Sequence, residues 1–264
     1  MRIVLAFALV ACSSAAKPTP TVPTPAPPAK PLLALHVNDI AGDEPAILIE
    51  VGGGADSSSW KEFPAELAKQ TGKRVITYDR AGFGKSEWPA MPFTFADEIV
   101  SLHVNLIERG VKSVVIVAES YGGMMALAHV DRYPAAVAGI VLLYPMNADF
   151  VDAVGIEKVA ATAPKIDTPK DDKERALKYM TEGFPAFVAD LRGKRWPKSL
   201  PVVVVTAGIP FWPDEAMGAA WRASHEALAK SPGASLVVAT ESKHLIVRTQ
   251  PALVVEAIRR VLGP

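Results

Sequence analysis

The chain has 264 residues, half of them hydrophobic, with 28 basic side chains balanced by 28 acidic ones and a single cysteine. That composition sustains a sizeable core and excludes a chain disordered throughout. No cluster of Lys and Arg marks a nucleic-acid footprint. One cysteine rules out an internal disulfide, and no Cys/His group has the spacing of a zinc site.

Residues 1–31 differ in composition from all that follow. Arg2 precedes an apolar run from Ile3 to Ala11, then come Cys12, small residues, and a stretch rich in Pro, Thr and Ala up to Pro31. A charged start and a short apolar stretch describe a secretory signal, and the run is too short to span a bilayer. Leu9-Val10-Ala11-Cys12 resembles the bacterial lipoprotein lipobox, which implies lipidation at Cys12. On that reading residues 1–11 are a signal peptide and 12–31 a lipidated, proline-stiffened tether. The expected location is the cell envelope, on the outer membrane facing the periplasm in a Gram-negative cell; the alternative is a signal cut near Ala15 or Ala16 and a secreted or periplasmic protein. With Arg2, Lys17 and Lys30 set aside, 25 basic residues face 28 acidic ones, so the lipid rather than surface charge would hold the protein at a membrane.

The remainder, 32–264, alternates between two periodicities. Apolar, β-branched runs at 46–51, 74–78, 113–118, 137–144, 201–206 and 236–239 predict strands buried on both faces, hence paired in parallel. Amphipathic segments at 59–70, 94–109, 121–133 and 251–262 predict helices between them, closed by Gly72, Gly110 and Pro134, the last one capped by Thr249. This order predicts an α/β fold, a mostly parallel sheet flanked by helices. Residues from about 147 to 200 carry no strand pattern but contain helical stretches at 149–162 and 171–191, which predicts an inserted helical cap.

Four segments carry chemistry. The strand ending at Val117 runs into Ala118-Glu119-Ser120-Tyr121-Gly122-Gly123 and then a helix, placing a serine at the tip of a strand-turn-helix. This resembles the nucleophile elbow G-x-S-x-G of the α/β-hydrolase fold family, with Ala118 in place of the first glycine. Gly52-Gly53-Gly54, at the end of an early strand, resembles the family's oxyanion loop, and Asp79-Arg80-Ala81-Gly82-Phe83-Gly84-Lys85-Ser86 its D-R-x-G-x-G-x-S turn, which is structural there. Neither a P-loop Gly-Lys-Ser/Thr nor a G-x-G-x-x-G fingerprint is present. Among the five histidines, His244 stands apart: it follows the last strand in Ser242-Lys243-His244 and precedes Gln250-Pro251 and a helix, as in the family's terminal histidine loop.

The resemblance covers 32–264 and implies a serine hydrolase cleaving an ester or related acyl bond, with Ser120 as nucleophile, His244 as general base and a carboxylate orienting the histidine. Asp214 is the expected acid, although it lies later after its strand than the family pattern; Glu215, Asp149 and Asp152 are the other candidates, and Tyr144 stands where relatives often have an aspartate. The amides of Gly53 and Tyr121 are the expected oxyanion donors. Trp60, Trp88, Phe93, Phe211 and Trp212 are candidates either for a pocket under the cap or for the core. A small-molecule acyl substrate is expected, with no metal or organic cofactor. The alternatives are a peptidase of the proline-iminopeptidase type and a non-catalytic envelope protein that keeps the fold as a binding module.

Overall fold

The computed structural model describes residues 33–263 apart from 90, 91 and 213. The expected signal peptide, Cys12 and all but the final residue of the segment up to 33 therefore lie outside the described residues. Seven strands form one sheet in the order β1-β3-β2-β4-β5-β6-β7. They are β1 (Val37–Ile40), β2 (Asp43–Glu50), β3 (Lys73–Tyr78), β4 (Val114–Glu119), β5 (Val137–Leu143), β6 (Val202–Ala207) and β7 (Ala234–Ala239). All neighbours pair in parallel except β1 with β3.

The central strands are unbroken apolar runs because both faces of the sheet are covered. Successive residues of each strand go to opposite sides. Ile47, Ile49, Val115, Val117, Val141 and Val203 join one core cluster; Ala46, Leu48, Ile116, Ala118, Ile140 and Val202 join the other. The first is packed by α1 (Phe63–Thr71) through Leu67 and by α9 (Pro251–Leu262) through Val254 and Ile258. The second is packed by α2 (Phe95–Glu108) through Leu102 and Leu106, and by α3 (Gly122–Arg132) through Ala126 and Val130. Burying one such aliphatic side chain contributes roughly 1.5–3 kcal/mol, so the two layers are the main source of stability.

Between β5 and β6 lie three helices, α4 (Ala148–Val154), α5 (Ile156–Ala160) and α6 (Asp172–Leu191). The expected helix over 149–162 is broken at Gly155, whose φ of 95° no α-helix accepts. The expected 59–70 helix is split as well: a 3-10 turn covers Ser57–Trp60, Lys61 sits at φ 48°, and α1 begins after it. After β6 the chain forms α7 (Glu215–Ala229), and after β7 the short α8 (Ile246–Thr249) precedes α9. Thr249 does not cap α9: it belongs to α8, and Gln250 stands at the cap with no side-chain hydrogen bond to the helix. Among the described residues no helix is long and apolar enough to cross a membrane.

Candidate active site

The site lies beyond the carboxyl ends of β2, β4, β5, β6 and β7, where an open parallel sheet leaves backbone amides and loop side chains free to meet a ligand. β4 is buried along its whole length and hands over directly to Ser120, which has φ 53° although it is not a glycine. A non-glycine residue in that region costs on the order of 1–3 kcal/mol and persists only where its surroundings enforce it. Here they do: the Ser120 N–H donates to Leu143 O (3.1 Å), and its carbonyl accepts from Gly123 N (2.9 Å) and Met146 N (2.9 Å). A Cβ at Gly122 would lie 2.6 Å from Glu50 O, so only glycine permits α3 to start against β2. Ala118, where the family pattern has glycine, is a fully buried strand residue.

The loop after β2 runs beside this turn. A Cβ at Gly53 would lie 3.2 Å from the Tyr121 Cβ, which brings the Gly53 backbone against the first residue after the serine. Arg80 clamps the loop from beneath, donating to Val51 O (2.8 Å), Gly52 O (2.5 Å) and the Glu50 carboxylate (2.7 Å). Burial pushes Glu50 up while Arg80 and the Tyr78 hydroxyl pull it back. Asp79 accepts from Ser57 N (2.8 Å) and Lys85 N (2.9 Å), so the D-R-x-G-x-G-x-S turn serves the loop architecture. Among the described residues no hydrogen bond takes up the N–H of Gly53 or of Tyr121.

Ser120, Tyr121, Gly53 and Gly54 share one cavity of about 240 Å³ with the helices inserted between β5 and β6. Its other walls are mostly apolar: Met146, Val159, Leu177, Met180 and Phe184, with Thr162 and Thr181 as hydroxyl contributions. None of the five aromatics singled out from the sequence lines it; Trp60 and Phe93 are core residues, and Phe211 is exposed.

His244 sits in the loop after β7. Ser242, fully buried, pins that loop through Thr249 Oγ1 (2.5 Å) and Gln250 Oε1 (2.9 Å), and Gln250 also accepts from Glu241 N (3.1 Å). The glutamine before Pro251 thus acts as a side-chain tie across the loop. The His244 ring meets Tyr144 at 5.5 Å between centroids and 90° between planes, and Phe211 at 4.5 Å and 40°. Among the described residues its buried Nδ1 has no hydrogen-bond partner. Burial alone lowers the ring to about 4, which keeps it neutral near pH 7. Among the described residues no hydrogen bond joins His244 to the Ser120 hydroxyl.

The structure does not bring Asp214 to His244. Asp214 caps α7 by accepting from Met217 N (2.8 Å), and its other oxygen pairs with Lys158 Nζ at 2.9 Å, which holds the carboxyl below its usual range. The chain from Gly208 to Trp212 carries Phe211, rather than a carboxylate, to the histidine. Glu215 lies in the exposed first turn of α7, Asp149 pairs with Arg195 (2.9 Å) and Asp152 with Arg192 (2.8 Å).

Glu119 escapes sequence reasoning, and Tyr144 enters it only as the residue standing where relatives often have an aspartate. Glu119 is buried beside Gly52 with Oε1 unpartnered, and burial pushes it up to about 7 against the pull of Arg248 and the Gly52 N–H. Its signal is a carboxylate ending an otherwise apolar strand. Tyr144 has φ 49°, the same left-handed backbone as Ser120 one strand away. No group of three or more His, Cys, Asp or Glu side chains is placed to hold a metal ion among the described residues.

A sequence profile described as the alpha/beta hydrolase family matches residues 47–257. The chain belongs to that family. Among relatives, the proline iminopeptidase of Lactobacillus helveticus (strain DPC 4571) is 28% identical over 107 residues, 38% of this chain and 35% of that protein. The 2-hydroxymuconate semialdehyde hydrolase of Pseudomonas putida is 31% identical over 132 residues, 50% of this chain and 47% of the relative. The alignments thus span at most about half the length of these curated relatives. A thermophilic esterase from Thermogutta terrifontis has the same fold, with a TM-score of 0.58 and 24% identity over 86% of this chain and 92% of the esterase.

Proposed function

We propose that this α/β hydrolase is a serine hydrolase acting on an uncharged ester or related acyl bond, with Ser120 as nucleophile and His244 as general base. The observation that carries the reading is the strained Ser120, set at a strand-helix turn and opening into the same cavity as Gly53 and Tyr121. Strain of this kind turns the hydroxyl out of the strand toward a bound carbonyl. The neutral His244 takes the hydroxyl proton as Oγ attacks, and the N–H groups of Gly53 and Tyr121, left without partners, receive the oxyanion. Each such donor is worth about 3 kcal/mol in the transition state. The imidazolium then protonates the departing alcohol, and water, activated by the same ring, releases the acyl group and regenerates Ser120.

The cavity supports the substrate class. No charged side chain lines it, so the acyl part is apolar and compact. A peptidase that recognises a free, protonated amino terminus needs a carboxylate there, and the absence of one from the lining favours ester over peptide. The unpartnered Nδ1 of His244 favours the second reading, a non-catalytic binding module. Hydrolysis of 4-nitrophenyl esters of rising chain length separates the two. The hydrolase reading expects turnover of short chains in preference to long ones, and a loss of at least about 10³-fold in kcat in Ser120→Ala. An inert wild type that still binds acyl esters supports the binding module.

We further propose that Cys12 carries a lipid and that residues 12–31 tether the domain in the cell envelope. The lipobox-like Leu9-Val10-Ala11-Cys12 supports this. Labelling with an alkyne fatty acid in a bacterial host tests it: label on the wild type and none on Cys12→Ala is the expected result, and an unlabelled wild type removes the anchor.

A further inference from the structure

The imidazole of His244, which stands outside the lining of the Ser120 cavity, lacks among the described residues the carboxylate partner on which a catalytic triad depends. In a triad that carboxylate does two things: it fixes the tautomer and orientation of the ring, and it stabilises the imidazolium. Here the buried Nδ1 has no hydrogen-bond partner among the described residues, and Asp149, Asp152 and Asp214, following β5 and β6, pair instead with Arg195, Arg192 and Lys158. What surrounds the ring is aromatic. Tyr144 follows β5, one strand from Ser120, and presents a buried ring perpendicular to His244; Phe211 packs on it from the loop after β6.

We propose that Tyr144 and Phe211 are positioning residues that replace the triad carboxylate, clamping His244 between two rings so that Ser120 and His244 work as a pair. Two observations converge on this reading. Tyr144 keeps a left-handed backbone, φ 49°, that a bulky residue adopts only when the fold demands its position. A perpendicular ring pair is also the arrangement in which a ring N–H meets a π face, so the clamp can hold the proton on Nδ1 and leave Nε2 free to act as base.

The clamp orients the ring but provides no countercharge. Phe211 is apolar and burial pushes the Tyr144 hydroxyl up, so both are uncharged near pH 7; the lowered titration of His244 follows from burial. This inference rests on Ser120 and His244 being the reactive pair, so the experiment reads the two separately. The full-length protein is labelled at Ser120 with a fluorophosphonate, and kcat and KM are followed against pH for wild type, Phe211→Ala, Phe211→Tyr and Tyr144→Phe. Phe211 is 45% exposed, so its variants test the clamp without emptying the core. Phe211→Ala is expected to lower kcat about tenfold with KM little changed, and to move the acid limb of the pH profile upward as water reaches the ring. Phe211→Tyr and Tyr144→Phe, which keep both rings, are expected to stay within about threefold of wild type. A labelled wild type whose kcat and acid limb are unmoved by Phe211→Ala overturns the clamp and leaves the hydrolase reading standing. A wild type that does not label at Ser120 removes the hydrolase reading, and the clamp with it.

Discussion

At the scale of single residues, the site depends on groups that are costly to place, and each is enforced by a neighbour that can be altered. Arg80 is fully buried and binds the carbonyls of Val51 and Gly52 as well as Glu50. Replacing it with methionine leaves Glu50 buried without its cation, and unpairing a buried charge costs about 3–5 kcal/mol. Arg80→Met is therefore expected to lower the urea midpoint sharply; an unchanged midpoint would mean the pair is not a support of the loop. Ala118→Gly, which restores the family pattern at the elbow, is expected to destabilise by about 1–2 kcal/mol and to leave the hydrolytic rate alone, since a glycine in this paired strand adds chain entropy and removes a buried methyl. The turns that carry Ser120 and His244 were legible because their shapes demand particular residues. The contact of Tyr144 and Phe211 with His244 was not, because it joins three loops that the sequence keeps far apart.

At the scale of elements, the parallel strands were readable to within three residues at each end since their apolar runs are long, and the exception is informative. β1, Val-Asn-Asp-Ile, is an edge strand with exposed central residues and so carries no apolar run. The breaks at Lys61 and Gly155 escaped because an amphipathic pattern continues across a backbone kink. The same limit explains Asp214. A carboxylate following a strand in this family suggests the triad acid, yet its local signal is that of a helix cap, and the cap is what the structure shows. Asp214→Asn tests this directly, as asparagine caps a helix as well as aspartate does. The expected kcat is within about twofold of wild type. A fall of about 10⁴-fold, the size expected when a triad acid becomes an amide, would return Asp214 to the catalytic role.

At the scale of the whole molecule, buried titratable groups set the pH range of stability. His129 and His225 are held neutral by burial, lowered to about 3 and about 4, whereas in the unfolded chain they take up protons near pH 6.5. The unfolded state thus binds more protons below about pH 6.5, and stability falls as pH drops through that window. Glu98 and Glu119 act in the opposite sense. Each is pushed up to about 7 by burial, so between about 4.5 and 7 the folded state holds protons that the unfolded chain has released, and stability falls as pH rises. The two trends oppose each other over the same interval, so they largely cancel between about pH 4.5 and 6.5, and above that, up to about pH 7, the loss carried by the glutamates prevails. Thermal melts across pH 4 to 9 are expected to show a broad maximum near pH 5 to 6, and Glu119→Gln is expected to flatten the decline on its alkaline side; an unchanged alkaline decline in that variant would rule out a contribution from Glu119.

The central claim is that Ser120 is an activated nucleophile. The most direct measurement is the intact mass of the purified protein after exposure to a fluorophosphonate, for wild type, Ser120→Ala and His244→Ala. A single adduct on the wild type, none on Ser120→Ala and strongly slowed labelling of His244→Ala is the predicted result. A folded wild type that takes up no label, or a Ser120→Ala variant that takes up as much, would contradict it.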